Sequence, residues 1–167
     1  MRLEDFIAFG TRGVTSVVDF GSGPGDKLAF VDPGVTTKIA LDKFGPYWSQ
    51  IPSKYSALTC DALEYEKFIP EEKRDCAMLL DLIEHMDKEK GADLLERLKT
   101  HFRVILIFTP LGYHAQDIDV TGMMNPYQIH RSGWSVEDLT ALGFHVEADP
   151  AFHGPRGGAI FATWRRT

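Results

Sequence analysis

The sequence predicts an α/β fold: a seven-stranded, mostly parallel sheet with helices on both faces and an antiparallel strand at its C-terminal end. Seven short apolar runs rich in β-branched residues recur along the chain. Several are separated by segments with helical patterning, the sign of βαβ units. The last two runs are joined by DPAFHGPRGG, too short for a crossover helix, so they are expected to pair antiparallel. A chain of 167 residues has room for one core and little for a second, so residues 1–167 are expected to form a single domain.

The predicted strands run from Thr15 to Phe20, Lys38 to Asp42, Ala57 to Asp61, Cys76 to Asp81, Arg103 to Thr109, Phe144 to Ala148 and Ala159 to Arg165. The clearest helix spans Lys88 to His101, where Leu94, Leu95 and Leu98 fall at helical spacing with charged residues opposite. Another starts at Ser135, an N-cap whose partner three residues on is Asp138, and stops at Gly143. Helical segments after Gly25 and around Tyr47 are expected to be short, because Pro33-Gly34 and Pro52 interrupt them. Residues 110–134 come after the fifth strand and are long for a plain connection, which suits a lid over a binding site.

Composition narrows the function classes. Apolar residues make up 44% of the chain and charged residues 25%, as in soluble globular proteins. A net charge of -6 gives no general electrostatic footprint for a phosphate backbone, so nucleic acid is not the expected partner. Cys60 and Cys76 are the only cysteines, too few for a disulfide framework or zinc cluster. The N-terminal stretch carries Arg2, Glu4 and Asp5 and reads neither as a secretory signal nor as a membrane span, so no membrane partner and a cytoplasmic location are expected. Pairing of two copies could complete the pocket of so short a domain, which leaves a homo-oligomer open.

The most informative stretch is Asp19-Phe20-Gly21-Ser22-Gly23-Pro24-Gly25, a strand end succeeded by three glycines at alternate positions. Gly21 allows a tight turn, Gly23 a close ligand approach and Gly25 the packing of the next helix against the strand, and backbone N–H groups are expected to face the ligand. A dinucleotide fingerprint would place its third glycine at position 26, where Asp26 stands, and there is no Gly-Lys-Ser/Thr for a P-loop. Asp19 is placed to attract an ammonium rather than a pyrophosphate. Asp42, at the second strand end, suits a ribose diol, and Asp61, at the third, suits an exocyclic amine.

These features resemble the motifs of the class I S-adenosylmethionine-dependent methyltransferases: VVDFGSGPG, the acid of KIALD, the acid of LTCDA and the strand end MLLDLIEH. The likeness covers most of the chain. It implies a Rossmann-like sheet of order 3-2-1-4-5-7-6, and S-adenosylmethionine held by Asp19, Gly21, Ser22, Gly23, Gly25, Asp42, Asp61, Ala62 and Asp81.

The reaction centre is expected at Asp81, Glu84 and His85, beside the methyl donor, with His85 as base if the acceptor is a hydroxyl. Some quinone-pathway and small-RNA methyltransferases have a Glu-x-x-Glu-His run here that holds a divalent metal. Asp81 departs from it, and no metal is expected. The lid offers Tyr113, His114, Tyr127, His130, Arg131 and Trp134 to a small-molecule acceptor, with Gln116, Asp117, Asn125 and Gln128 beside them, while Met123 and Met124 are read as packing. Asn125-Pro126-Tyr127 resembles an amino-methylation signature but lies in the lid, not after the fourth strand, so hydroxyl or carboxyl acceptors are favoured over amines. The expected function is therefore O-methylation of a small polar molecule. The alternatives are a catalytically silent S-adenosylmethionine-binding subunit and a dinucleotide-binding domain.

Overall fold

A computed structural model describes residues 1–116, 122 and 124–166, apart from the side chain of Arg156. Asp117 and Met123 lie outside the described residues. One sheet organises the chain, with β1 (Ser16–Phe20), β2 (Thr37–Asp42), β3 (Ser56–Thr59), β4 (Cys76–Leu80), β5 (Val104–Pro110), β6 (His145–Asp149) and β7 (Ala159–Arg165). The strand order is β3-β2-β1-β4-β5-β7-β6. Strands β1 to β5 run parallel, and β7 pairs antiparallel with both β5 and β6. The predicted order and the antiparallel ending both stand.

Strand periodicity assigns alternate residues to opposite faces. Val18, Phe20, Ala77, Leu79, Ile105 and Ile107 pack on one face, under Leu94, Leu95 and Leu98 of α2 (Lys88–His101) and Leu139 of α3 (Val136–Ala141). Val17, Met78, Leu80, Leu106 and Phe108 pack on the other, under Phe6 and Ile7 of α1 (Leu3–Gly10). The α2 leucines are fully buried, each contributing about 1.5–3 kcal/mol. The Ser135–Asp138 capping box forms in both directions and starts α3 as expected.

Two elements differ from the sequence expectation. The segment before β1 forms α1, a helix of eight residues, because Phe6, Ile7 and Gly10 make an apolar stripe against β5. Gly10 permits that approach: a Cβ there would stand 2.6 Å from Leu106. The crossovers flanking β2 and β3 contain only 3₁₀ turns, at Asp26–Ala29, Gly45–Gln50, Ala62–Lys67 and Glu71–Lys73. Pro46 and Pro70 lie at the starts of two of these turns, where the ring fixes the backbone. Among the described residues, no helix is long and apolar enough to cross a membrane.

Candidate functional site

Between β1 and β4 the strand order reverses, and a crevice opens at the carboxyl ends of the strands there. A cleft of about 330 Å³ occupies this position. Gly21 from the end of β1, Asp42 from β2, Asp61 and Ala62 beyond β3 and Asp81 beyond β4 all line it. The structure thus brings together the acids that the sequence places on successive strand ends.

The glycine turn is held from within. The N–H groups of Gly21 and Ser22 donate to the Leu41 carbonyl at 2.8 and 3.0 Å, extending the β1–β2 ladder, and Gly25 N–H donates to the Ser22 carbonyl. Gly23 N–H donates to Asp42 Oδ2 at 2.9 Å. These N–H groups therefore do not face a ligand, contrary to expectation, and the turn leads only into a four-residue 3₁₀ turn. The glycine turn itself therefore offers a pyrophosphate no free N–H donor. Gly21 has φ +69°, and a Cβ on it would meet Leu82 at 2.8 Å. Gly23 has φ +53° with open space over it. At Gly25 a Cβ would make only ordinary contacts, so its role is the left-handed backbone and not close packing. Ser22 is buried, its hydroxyl bonded to the Gly23 carbonyl.

Each acid has a distinct environment. Asp42 accepts from Gly23 N–H on one oxygen and from Phe44 N–H, at 2.8 Å, on the other. Burial raises its pKa against these bonds. A carboxylate has about four acceptor sites, so this fixed group retains capacity for a diol. Asp61 caps the adjoining 3₁₀ turn by accepting from Leu63 N–H, and its other oxygen pairs with Lys43 Nζ at 2.7 Å. Burial pushes its carboxyl up, but Lys43 outweighs that and holds it below the ordinary value.

Asp19 is not among the residues lining the cleft; it is 1% exposed, and its Oδ2 has no hydrogen-bond partner among the described residues. Burial, with Asp42 adding to it and Lys27 opposing, pushes its pKa up to about 8. Asp81 adopts φ +54°, a conformation that aspartate tolerates better than most residues. Its side chain is open to the cleft; the surrounding protein still raises its pKa, as a narrow protein-walled crevice does.

Glu84 is buried behind the cleft wall. Its Oε2 accepts from the Thr109 hydroxyl at 2.9 Å, while Oε1 has no partner among the described residues, and burial, with Asp81 adding to it, raises its pKa. His85 lines the cleft, and burial lowers its pKa to about 4, leaving it neutral at physiological pH. A histidine so shifted is a weaker base than one with an ordinary pKa near 6.5.

Lid residues divide between two roles. Asn125, Tyr127, Gln128 and Arg131 line the cleft. Asn125 is buried, donating to the Tyr47 hydroxyl at 3.2 Å, and Lys43 stands 4.9 Å from the Tyr127 ring centroid. The Glu84 carbonyl accepts from Arg131 and Ser132 N–H, which pins the lid to the turn after β4. The other lid residues are corrections to the expected acceptor set. Trp134 is 1% exposed in the core against α2, its indole N–H donating to Ser132. Tyr113 is exposed and outside the cleft lining, while His114 bonds the Leu111 carbonyl. His130 is turned toward Glu84 and His85, so that one ligand atom from each of the three lies within 4.8 Å of the others. Sequence reasoning missed Lys43, Lys90 and Met86 on the cleft wall. Only the adjacency of Lys43 to Asp42 hinted at any of these.

Comparison with known proteins decides the fold. A SAM-dependent methyltransferase from Archaeoglobus fulgidus superposes with TM-score 0.67 at 20% identity, over 98% of this chain and 91% of that one. The small RNA methyltransferase HEN1 gives 0.67 at 18%, over 98% of this chain, which spans only 24% of that protein. The mitomycin 7-O-methyltransferase MmcR gives 0.65 at 18%, over 98% of this chain and 53% of that one. The chain has the class I methyltransferase fold. At these identities the likeness establishes the fold alone. No protein-family model and no curated protein matches the sequence.

Proposed function

We propose that this protein is a cytosolic S-adenosylmethionine-dependent methyltransferase that acts on an oxygen of a small polar molecule. The observation that carries the reading is the single cleft lined by Gly21, Asp42, Asp61, Ala62 and Asp81 at the switch point of a methyltransferase fold. Its acids suit a cationic, ribose-bearing ligand, and its inward-turned N–H groups do not suit a pyrophosphate. Both cysteines are buried and free, which fits a reducing compartment.

S-adenosylmethionine, when bound, would supply an electrophilic methyl, its C–S bond breaking as a C–O bond forms with the electron pair left on sulfur, and the acceptor's proton would pass to neutral His85 and on to solvent. The chain's own residues align the two partners. Asp42, held by Gly23 and Phe44 N–H, would accept from the ribose diol. Asp61 and Ala62 would border the adenine, with Lys43 moving aside from Asp61. Asp19 would favour the amino group only as the carboxylate, a form that a nearby ammonium would promote by lowering its raised pKa. Tyr127, Gln128 and Arg131 line the same cleft and would border the acceptor. Such alignment can supply about 7–11 kcal/mol of the barrier.

Incubation with methyl-labelled S-adenosylmethionine and a small-molecule cell extract tests this reading. We expect label in a methoxy group of a low-molecular-mass product. Label in a methylamine would defeat oxygen transfer, and cofactor binding with no labelled product from any extract would favour the silent subunit.

A further inference from the structure

We propose that the groove between α1 and the outer strands β6 and β7 binds a single-chain amphiphile with an anionic head, such as a medium-chain fatty acid. The groove encloses about 510 Å³, a usual size for a ligand pocket, and shares no lining residue with the donor cleft. Its binding of such a ligand does not rest on the methyltransferase reading.

The shape of the groove follows from how far α1 reaches across the sheet. Phe6 lies edge-on to Phe161 of β7 with ring centroids 5.2 Å apart, and Gly10 sits against Leu106 of β5. Beyond the helix, His145 and Glu147 of β6 stand opposite Thr163 and Phe161 on the same face, with side chains 78% and 58% exposed. Helix α3 packs Leu139 with Val146 on the other face of β6, so the groove side of that strand lies open. Phe6, Ala8, Phe9 and Phe161 line the trough, and Phe9 is 67% exposed. A hydrocarbon chain laid along them removes that surface from water.

Apolar lining alone would take a neutral chain as readily; the charges at one end fix the sign of the head. Arg12 lies over the Phe9 ring, 4.8 Å from its centroid, and its guanidinium has no ion pair among the described residues. Arg165 donates one N–H to the Gly10 carbonyl at 2.8 Å, which holds a second guanidinium at the Gly10 end of the groove with other donors of its fork to spare. The two acids on the groove wall already face cationic side chains: Asp5 meets Arg2 at 3.3 Å and Glu147 meets His145 at 3.7 Å. From His145 and Thr163 the groove continues into a second hollow of about 460 Å³, lined by Arg165 and Arg166 and by no carboxylate. Planar guanidinium forks beside an apolar trough suit a carboxylate or phosphate carried on a hydrocarbon chain.

The test is calorimetric titration of the whole chain with octanoate, decanoate, dodecanoate and dodecyltrimethylammonium. We expect one-to-one binding of the three carboxylates, tighter by about fourfold for each added methylene, and no binding of the ammonium. Losing a hydrogen bond to a charged group sets the loss of decanoate affinity in Arg12→Ala at about 10–100-fold, and loss of the apolar wall in Phe9→Ser should weaken it about tenfold. Both side chains are exposed, so both variants should melt with wild type and bind S-adenosylhomocysteine as it does. Equal affinity for the ammonium, no dependence on chain length, or undiminished binding in both variants would overturn the site. Sedimentation with phosphatidylglycerol vesicles in the absence of one-to-one decanoate uptake would assign the groove to a membrane surface, and a dimer broken by Phe9→Ser without such uptake would assign it to a second copy; either result overturns the proposal.

Discussion

Asp19 holds a carboxyl group where water does not reach it, with its pKa raised to about 8. Between its ordinary value of 3.8 and that value, the folded chain keeps a proton that the unfolded chain has lost. Stability should therefore fall as pH rises through this window and level off above about 8. Asp19→Asn removes this contribution. Urea midpoints measured from about pH 5 to 8 should show wild type losing ground to the variant by about 1.4 kcal/mol per pH unit; parallel curves would reject the assignment. Asp42 makes a separate prediction, because it is the fixed acceptor in the cleft. Losing hydrogen bonds to a charged group costs about 1.5–3 kcal/mol, so Asp42→Ala should weaken S-adenosylhomocysteine binding by about 10–100-fold in calorimetry. These acids were legible in the sequence because a strand end fixes where a residue sits along the sheet. The lid was not, because side-chain direction there depends on contacts between distant segments: Trp134 turned into the core and His130 toward Glu84, while Lys43 found Asp61 across a strand gap.

At the scale of elements, α2 was fully legible because its three leucines share one face over fourteen residues. Helix α1 was not, because two turns with a glycine in the stripe give too short a pattern, and its stability comes from packing on β5. The 3₁₀ crossovers were legible only as shortness, signalled by proline. Gly91 shows where packing outweighs propensity. Within a helix, Gly→Ala ordinarily stabilises by about 1 kcal/mol. Here a Cβ would stand 2.7 Å from the Trp134 ring, which is locked in the core. Gly91→Ala should therefore lower the urea midpoint, at a cost of about 1–3 kcal/mol, and a raised midpoint would show that the ring can yield. Ser135→Ala removes the cap of α3 and should cost about 1 kcal/mol in the same assay.

At the scale of the molecule, strand order, antiparallel ending and cleft position agree with one another, since a reversal of winding at β1 and β4 opens the crevice into which the strand-end acids project. The antiparallel ending was readable from the short connection between the last two apolar runs, and the cleft position from the acids that end the strands, whereas the strand order came only from the resemblance to the methyltransferase family. Asn125 bonded to Tyr47, and Lys43 between Asp61 and Tyr127, stand on the lid side of the crevice, so Lys43 must leave Asp61 before that oxygen can accept from a ligand. The central claim is that this crevice holds S-adenosylmethionine. Thermal melting with S-adenosylhomocysteine tests it directly: at 100 times its dissociation constant the ligand adds about 2.7 kcal/mol, which should raise the midpoint by roughly 5–10 °C, while NAD leaves it unmoved. No shift with S-adenosylhomocysteine, together with a shift from NAD, would contradict the account.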